Sequence, residues 1–133
     1  MPFRFLEHVS DILIEATGKN FNEALESAGT ALSAAAAENV IKEEEFEFEE
    51  SAANIEELVV AVLQRLLVES EIRTLLPGGL KVKDLHEERE RVTATIIGWA
   101  GRGTAKTIIK GVTYGMLKVE RNETCRIQVL FDI

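Results

Sequence analysis

Two aspartates in this sequence interrupt segments that are otherwise apolar. Asp11 lies in EHVSDILI (residues 7–14), and Asp132 lies in QVLFDI (residues 128–133). Because the printed sequence ends on Ile133, we expect a free α-carboxylate one residue from Asp132. Two strand carboxylates and a terminal carboxylate would form an all-oxygen site, which suits Ca²⁺, Mg²⁺ or Mn²⁺ rather than Zn²⁺. Most aspartates are simply solvated, so Asp11 and Asp132 could also be ordinary surface or structural residues, and that alternative stays open at this point.

Other candidate chemistry has weaker support in the sequence. Residues 100–107 (AGRGTAKT) end in the Lys-Thr of a phosphate-binding loop but carry alanine at both required glycine positions. Cys125 falls in an expected strand, where a lone cysteine is usually part of the core. His8 could join Asp11 as a metal ligand, but a structural histidine is the better interpretation.

The composition limits the possible classes of function. The chain has 133 residues, of which 46% are hydrophobic, so we expect one domain over residues 1–133 with a sizeable core. A net charge of −8 opposes strong direct binding to nucleic acid. The sequence has no apolar run long enough to cross a membrane and its start lacks a secretory pattern, so we expect a cytoplasmic protein. The single cysteine fits a reducing compartment.

Two helices are indicated by capping residues followed by apolar stripes. Asn20 and Asn54 are each followed three residues later by a glutamate, Glu23 and Glu57, as in a capping box. The first stripe contains Phe21, Ala24, Leu25, Ala28 and Leu32. The second contains Ile55, Leu58, Val59, Val62, Leu66 and Ile72, widened by Val60, Leu63 and Leu67.

The remaining segments predict strands. Residues 3–7, 11–17, 43–50, 80–85, 91–99, 112–120 and 124–133 are apolar or alternate between apolar and polar. We expect a turn at residues 77–79 (PGG) and a loop at residues 101–103 (GRG). The order β-β-α-β-α-β-β-β-β predicts an α+β two-layer sandwich, with a mostly antiparallel sheet and two amphipathic helices on one face.

The acidic segment EEEFEFEE (residues 43–50) alternates glutamate with Phe46 and Phe48. This pattern predicts a half-buried strand with an acidic outer face. A solvated edge whose charge deters strand addition is the plainer interpretation. A docking face for a basic partner is the alternative.

Five segments of the sequence are distinctive when taken together: FLEHVSDI (5–12), GKNFNEALESAGTAL (18–32), NIEELVVAVLQRLL (54–67), KGVTYGML (110–117) and QVLFDI (128–133). Their wording and order resemble the archease family of small tRNA-splicing cofactors. The sequence departs from the family's usual pattern at Gly111, which stands for alanine, and at Gly115, where many members have a larger polar residue.

The resemblance implies a function. Archeases are non-enzymatic, chaperone-like activators of the RNA ligase that joins tRNA exons through a 3′-phosphate or cyclic phosphate. They promote guanylylation and multiple turnover of that ligase. By resemblance, Asp11, Asp132 and the carboxylate of Ile133 would bind a divalent metal, Ca²⁺ first, with Mg²⁺ or Mn²⁺ as alternatives, and Lys110 would contact the partner or a phosphate.

Two other classes of function stay open from the residues alone. One is a small metal-dependent phosphoester hydrolase, since three carboxylates could hold a catalytic ion. The other is an acidic protein-interaction module without a functional metal.

Overall fold

The computed structural model describes residues 2–8 and 10–133. The observed order of elements is the predicted one. The bounds are β1 Phe3–Leu6, β2 Ile12–Gly18, α1 Phe21–Ala36, β3 Ala37–Ala52, α2 Ile55–Ile72, β4 Leu76–Glu87, β5 Val92–Ala105, β6 Gly111–Arg121 and β7 Cys125–Asp132.

The strands form two antiparallel sheets. The four-stranded sheet has the order β1-β2-β7-β6, and the three-stranded sheet has the order β3-β5-β4. Helix α1 packs on β2 and β4, while α2 packs on β5 and β6, so each helix contacts both sheets. The α+β sandwich is thereby confirmed. The division of the strands between two sheets was not predicted, because alternation identifies the buried face of a strand and not its neighbour.

The two predicted caps are present. The side-chain oxygens of Asn20 and Asn54 accept hydrogen bonds at 2.9 Å from the backbone N–H groups of Glu23 and Glu57. Such a bond satisfies one of the four N–H groups that a helix start leaves unpaired. The stripe of α1 is buried throughout. In α2 the predicted stripe is buried except at its two ends, where Ile55 is half-buried and Ile72 is 69% exposed.

Arg65 on α2 and Arg73, which directly follows the helix, hold β3 against α2. Arg65 donates to Glu50 at 2.8 Å, and Arg73 lies over the ring of Phe46 at 4.3 Å. Both arginines also bond to Glu69, and these hydrogen bonds hold the pKa of the Glu69 carboxyl below its usual range. The glutamates of β3 that face α2 are therefore part of the packing.

The turn predicted at residues 77–79 and the loop predicted at residues 101–103 are wrong. Both segments lie within strands, β4 and β5. Their glycines allow close approach instead. A Cβ on Gly78 would lie 2.1 Å from ring atoms of Trp99, and one on Gly101 would lie 1.8 Å from the backbone oxygen of Ile41.

Neither helix of the described residues is long and apolar enough to cross a membrane.

Gln64 of α2 fixes the start of β6. Its Oε1 accepts a hydrogen bond from the backbone N–H of Val112 at 2.9 Å. We expect Gln64→Leu to lower the free energy of unfolding by about 1–3 kcal/mol, because a partly buried N–H loses its partner. Chemical denaturation measures the loss. Gln64→Glu is the control, because it keeps an acceptor at this position, and its free energy of unfolding should be closer to that of the parent. Equal losses of stability in both variants would contradict the role of the hydrogen bond.

Candidate metal and partner site

The register of β2 and β7 brings Asp11 and Asp132 to the same end of the four-stranded sheet. Ile12 pairs with Phe131, and the antiparallel ladder continues from there to Gly18 and Cys125. Asp11 immediately precedes Ile12 and Asp132 immediately follows Phe131, so the two aspartates stand opposite each other where the ladder ends. Asp11 is half-buried and Asp132 is exposed.

Lys110 lies beside Asp132. Its backbone N–H donates to the backbone oxygen of Asp132 at 2.7 Å. The next residue, Gly111, is the cross-strand partner of Asp132 in the β6–β7 ladder. The Lys110 side chain is exposed, as is Ile133. All four residues selected from the sequence are therefore at one end of one sheet.

The carboxylates at this end have no internal counterion among the described residues. Neither Asp11 nor Asp132 forms a salt bridge there, whereas Glu15, four residues after Asp11 on β2, pairs with Arg4 at 3.0 Å. Carboxylates that converge without a cation repel one another. Their oxygens are the donors that hard divalent ions prefer, so the donor set fits such an ion.

Within residues 2–8 and 10–133, no three His, Cys, Asp or Glu side chains converge to hold a metal. Asp11 and Asp132 supply two side chains, and the third predicted donor is the α-carboxylate of Ile133. A site here would therefore depend on a main-chain donor or on a partner.

A cavity of about 270 Å³ adjoins Asp11. Its lining consists of Phe5, Leu6, Asp11, Ile12, Ala35, Lys106 and Thr107. Lys106 donates through Nζ to the backbone oxygen of Ala34 at 3.2 Å, near the end of α1. Sequence reasoning missed Lys106 as a neighbour of Asp11, because it considered this lysine only as part of a phosphate loop.

The rejected chemistry is also absent from the described structure. Residues 100–105 are strand and no helix follows them, so the strand-loop-helix arrangement of a phosphate loop is lacking. Cys125 is only 2% exposed, and its burial raises the pKa of the thiol, so the reactive thiolate is disfavoured. His8 is exposed, and His86 pairs with Asp84 at 3.0 Å on the surface.

A larger cavity, about 480 Å³, lies at the opposite end of the four-stranded sheet. Arg121 on its wall donates to Glu87 at 3.1 Å and lies 5.2 Å from the ring centre of Phe21. The charge of Arg121 is therefore matched by Glu87 within the wall of this cavity.

The chain is similar to known proteins over its whole length. The sequence profile described as "Archease protein family (MTH1598/TM1083)" matches residues 3–133. A protein named "Protein archease" from Sulfolobus acidocaldarius is 29% identical, and the match covers 98% of each chain.

Two solved structures share the fold. The solution structure of Methanobacterium thermoautotrophicum protein 1598 has a TM-score of 0.83 at 19% identity and covers 99% of both chains. The crystal structure of a Thermotoga maritima protein described as "an archease, possible chaperone" has a TM-score of 0.64 at 25% identity, and the match covers 96% of this chain and 94% of that one. With a family profile that spans nearly every residue, the chain belongs to the archease family.

Proposed function

We propose that this protein is a non-enzymatic activator of a tRNA-splicing RNA ligase, and that it promotes guanylylation and multiple turnover of that enzyme. The observation that carries the proposal is the strand register at the end of the four-stranded sheet. It puts Asp11 opposite Asp132, while the backbone of Lys110 bonds to Asp132. Membership of the archease family supports it.

In this proposal Asp11, Asp132 and the α-carboxylate of Ile133 bind one divalent ion. Ca²⁺ is the first choice, since all the donors are oxygens and two of them lie at exposed chain positions that can adapt their geometry. Mg²⁺ and Mn²⁺ are the alternatives. The ion would neutralise carboxylates that have no internal counterion within the described part of the chain.

Ligase guanylylation joins GMP to the enzyme and releases pyrophosphate, so negative charge must be stabilised. A bound divalent ion supplies positive charge for that purpose. The exposed Lys110 adds a second positive group beside Asp132. The protein would either complete a phosphate-binding arrangement in the ligase or bind the competent ligase conformation and increase its population.

A cytoplasmic location belongs to the same proposal, since the buried thiol of Cys125 is unpaired. The proposal assigns no reaction to the isolated protein. A phosphoester hydrolase would need a nucleophile or general base at the site, and among residues 2–8 and 10–133 the cavity beside Asp11 offers Lys106 and Thr107 as its only further polar side chains. Turnover of nucleotides or phosphoesters by the isolated protein would favour the hydrolase instead.

Replacement of either aspartate tests the metal site. We expect Asp11→Asn and Asp132→Asn each to weaken Ca²⁺ or Mn²⁺ binding by about tenfold or more, because each removes a negative oxygen donor while keeping the side-chain shape. Calorimetric titration measures the affinity.

Asp84→Asn is the matched control, since Asp84 is the one other aspartate of the sequence and lies on β4, away from the proposed site. A chain extended beyond Ile133 should also bind the metal ion less tightly, because the terminal carboxylate becomes a neutral peptide carbonyl. If both aspartate variants bound metal like the Asp84 control, the site would be refuted.

Lys110→Ala tests the activation of the ligase. In a multiple-turnover ligation assay with the cognate ligase and limiting activator, we expect this variant to lose several-fold in rate enhancement. Its stability should stay within ~0.5 kcal/mol of the parent, since the side chain is exposed, and its metal affinity should be nearly unchanged.

The control is Lys19→Ala, which makes the same change in charge at the other end of the sheet, beside Asn20. Full activation by Lys110→Ala would rule out the role of the lysine. No activation by the unmodified protein would overturn the proposed function.

A further inference from the structure

The three-stranded sheet has one face that no described element covers. On β5, Val92, Ala94 and Ile96 are buried in the main core. A Cβ on Gly98 would meet Phe46 and Leu66, so this buried side of β5 faces α2. The alternate residues of β5 point the other way. We call this second side the outer face; its β5 residues are Thr95, Ile97 and Trp99, all half-buried.

Trp99 is held in a fixed position on the outer face. Its ring lies against the backbone of β4, since a Cβ on Gly78 would be 2.1 Å from its Cε3 and Cζ3 atoms. A Cβ on Gly79 would be 2.8 Å from the indole Nε1. Only glycine permits this contact. A rigid, partly exposed tryptophan is the kind of residue that contributes most to binding at protein interfaces.

A row of glutamates borders this apolar strip. On the neighbouring edge strand β3, Glu45 pairs with Trp99, Glu47 with Ile97 and Glu49 with Thr95 in the ladder. Cross-strand partners lie on the same side of a sheet. All three glutamates are exposed. The outer face therefore combines a tryptophan and an isoleucine with three carboxylates on the β3 side, while the exposed Lys81 pairs with Ile97 on the β4 side.

The carboxylates are available to a partner. Glu45 and Glu47 have side chains that are 52% and 53% exposed, and each forms one salt bridge, to Lys42 and to Lys83. Such exposed salt bridges are weak, so a partner's cation can replace the lysine. Glu49 forms no salt bridge within residues 2–8 and 10–133, whereas Glu50, on the other side of the strand, bonds to Arg65.

We propose that the outer face docks a basic, partly apolar segment of another protein. Apolar side chains of that segment pack on Ile97 and Trp99, and its Lys or Arg groups contact Glu45, Glu47 and Glu49. An Arg can also stack on the face of the indole. A second copy of this chain is disfavoured, because two rows of glutamate would face each other in a chain of net charge −8. The same charge disfavours a nucleic acid.

Trp99 is the single tryptophan of the sequence, so its fluorescence reports directly on this face. The probe is a short synthetic peptide in which arginine and leucine alternate. We expect a saturable change in Trp99 emission. The triple variant Glu45→Gln, Glu47→Gln, Glu49→Gln should weaken the affinity about tenfold, since it removes three exposed charge pairs with the arginines of the peptide. A peptide with serine in place of leucine should also bind less tightly.

The matched control is the triple variant Glu88→Gln, Glu90→Gln, Glu123→Gln, which removes the same charge at exposed positions outside the outer face. It should bind the peptide like the parent. Trp99→Thr, followed through a fluorescent label on the peptide, should weaken binding while circular dichroism stays unchanged.

Four results would overturn the proposal. They are no saturable change with the peptide, an equal loss in the two glutamate variants, a Trp99 response to single-stranded RNA rather than to the peptide, and a protein dimer that Trp99→Thr dissociates. Because the glutamate variants leave Asp11, Asp132 and Lys110 intact, their metal affinity tests the other end of the molecule separately.

Discussion

The pairing of β2 with β7 determines where the proposed site lies. These strands come from opposite ends of the sequence, and they pair at the centre of the four-stranded sheet. Ile14 faces Val129 and Ala16 faces Ile127 in the ladder, and all four are fully buried. A shift of one residue would turn these side chains to solvent, so the core specifies the register strongly. That same register sets Asp11 opposite Asp132. The hydrophobic effect therefore places two aspartates opposite each other, even though their carboxylates repel one another.

Both helices stabilise the end of the four-stranded sheet that carries Asp11 and Asp132. Helix α2 holds the start of β6 through Gln64 and Val112. Helix α1 ends at Ala36, and the backbone N–H of Lys106 donates to the Ala36 oxygen at 2.8 Å. The segment between β5 and β6 thus crosses from one sheet to the other beside Asp11. Such fixed surroundings favour a preorganised surface for a cation or a partner.

The sequence predicted the elements better than their arrangement. Asn20 and Asn54 mark helix starts because a cap is a local interaction, and the alternation around Phe46 and Phe48 marks a strand for the same reason. From the sequence alone, the glycines near Trp99 predict a turn and Gly101, near Ile41, predicts a loop, because the contacts that place them in strands come from distant segments. Asp11 and Asp132 were recognised as unusual because they lie in apolar strands. Lys106 could not be recognised as their neighbour, since its position depends on how the two sheets pack.

The proposed cation site and the outer face differ in chemistry. One end of the four-stranded sheet has Asp11, Asp132 and an exposed lysine, while the outer face of the three-stranded sheet has Trp99 beside three glutamates. They lie on different sheets, so the two proposed interactions, with a cation at one end of the four-stranded sheet and with a basic segment on the outer face, would not compete with each other.

The central claim is that the strand register creates a cation site at one end of the four-stranded sheet. Paramagnetic broadening of backbone amide signals by substoichiometric Mn²⁺ tests it most directly. We predict that the amides next to Asp11, Asp132 and Lys110 broaden first. The signal of Cys125, about 23 Å away along an extended β7, should stay comparatively sharp. Broadening centred instead on the glutamates of β3, with the signals around Asp11 and Asp132 unaffected, would contradict the account.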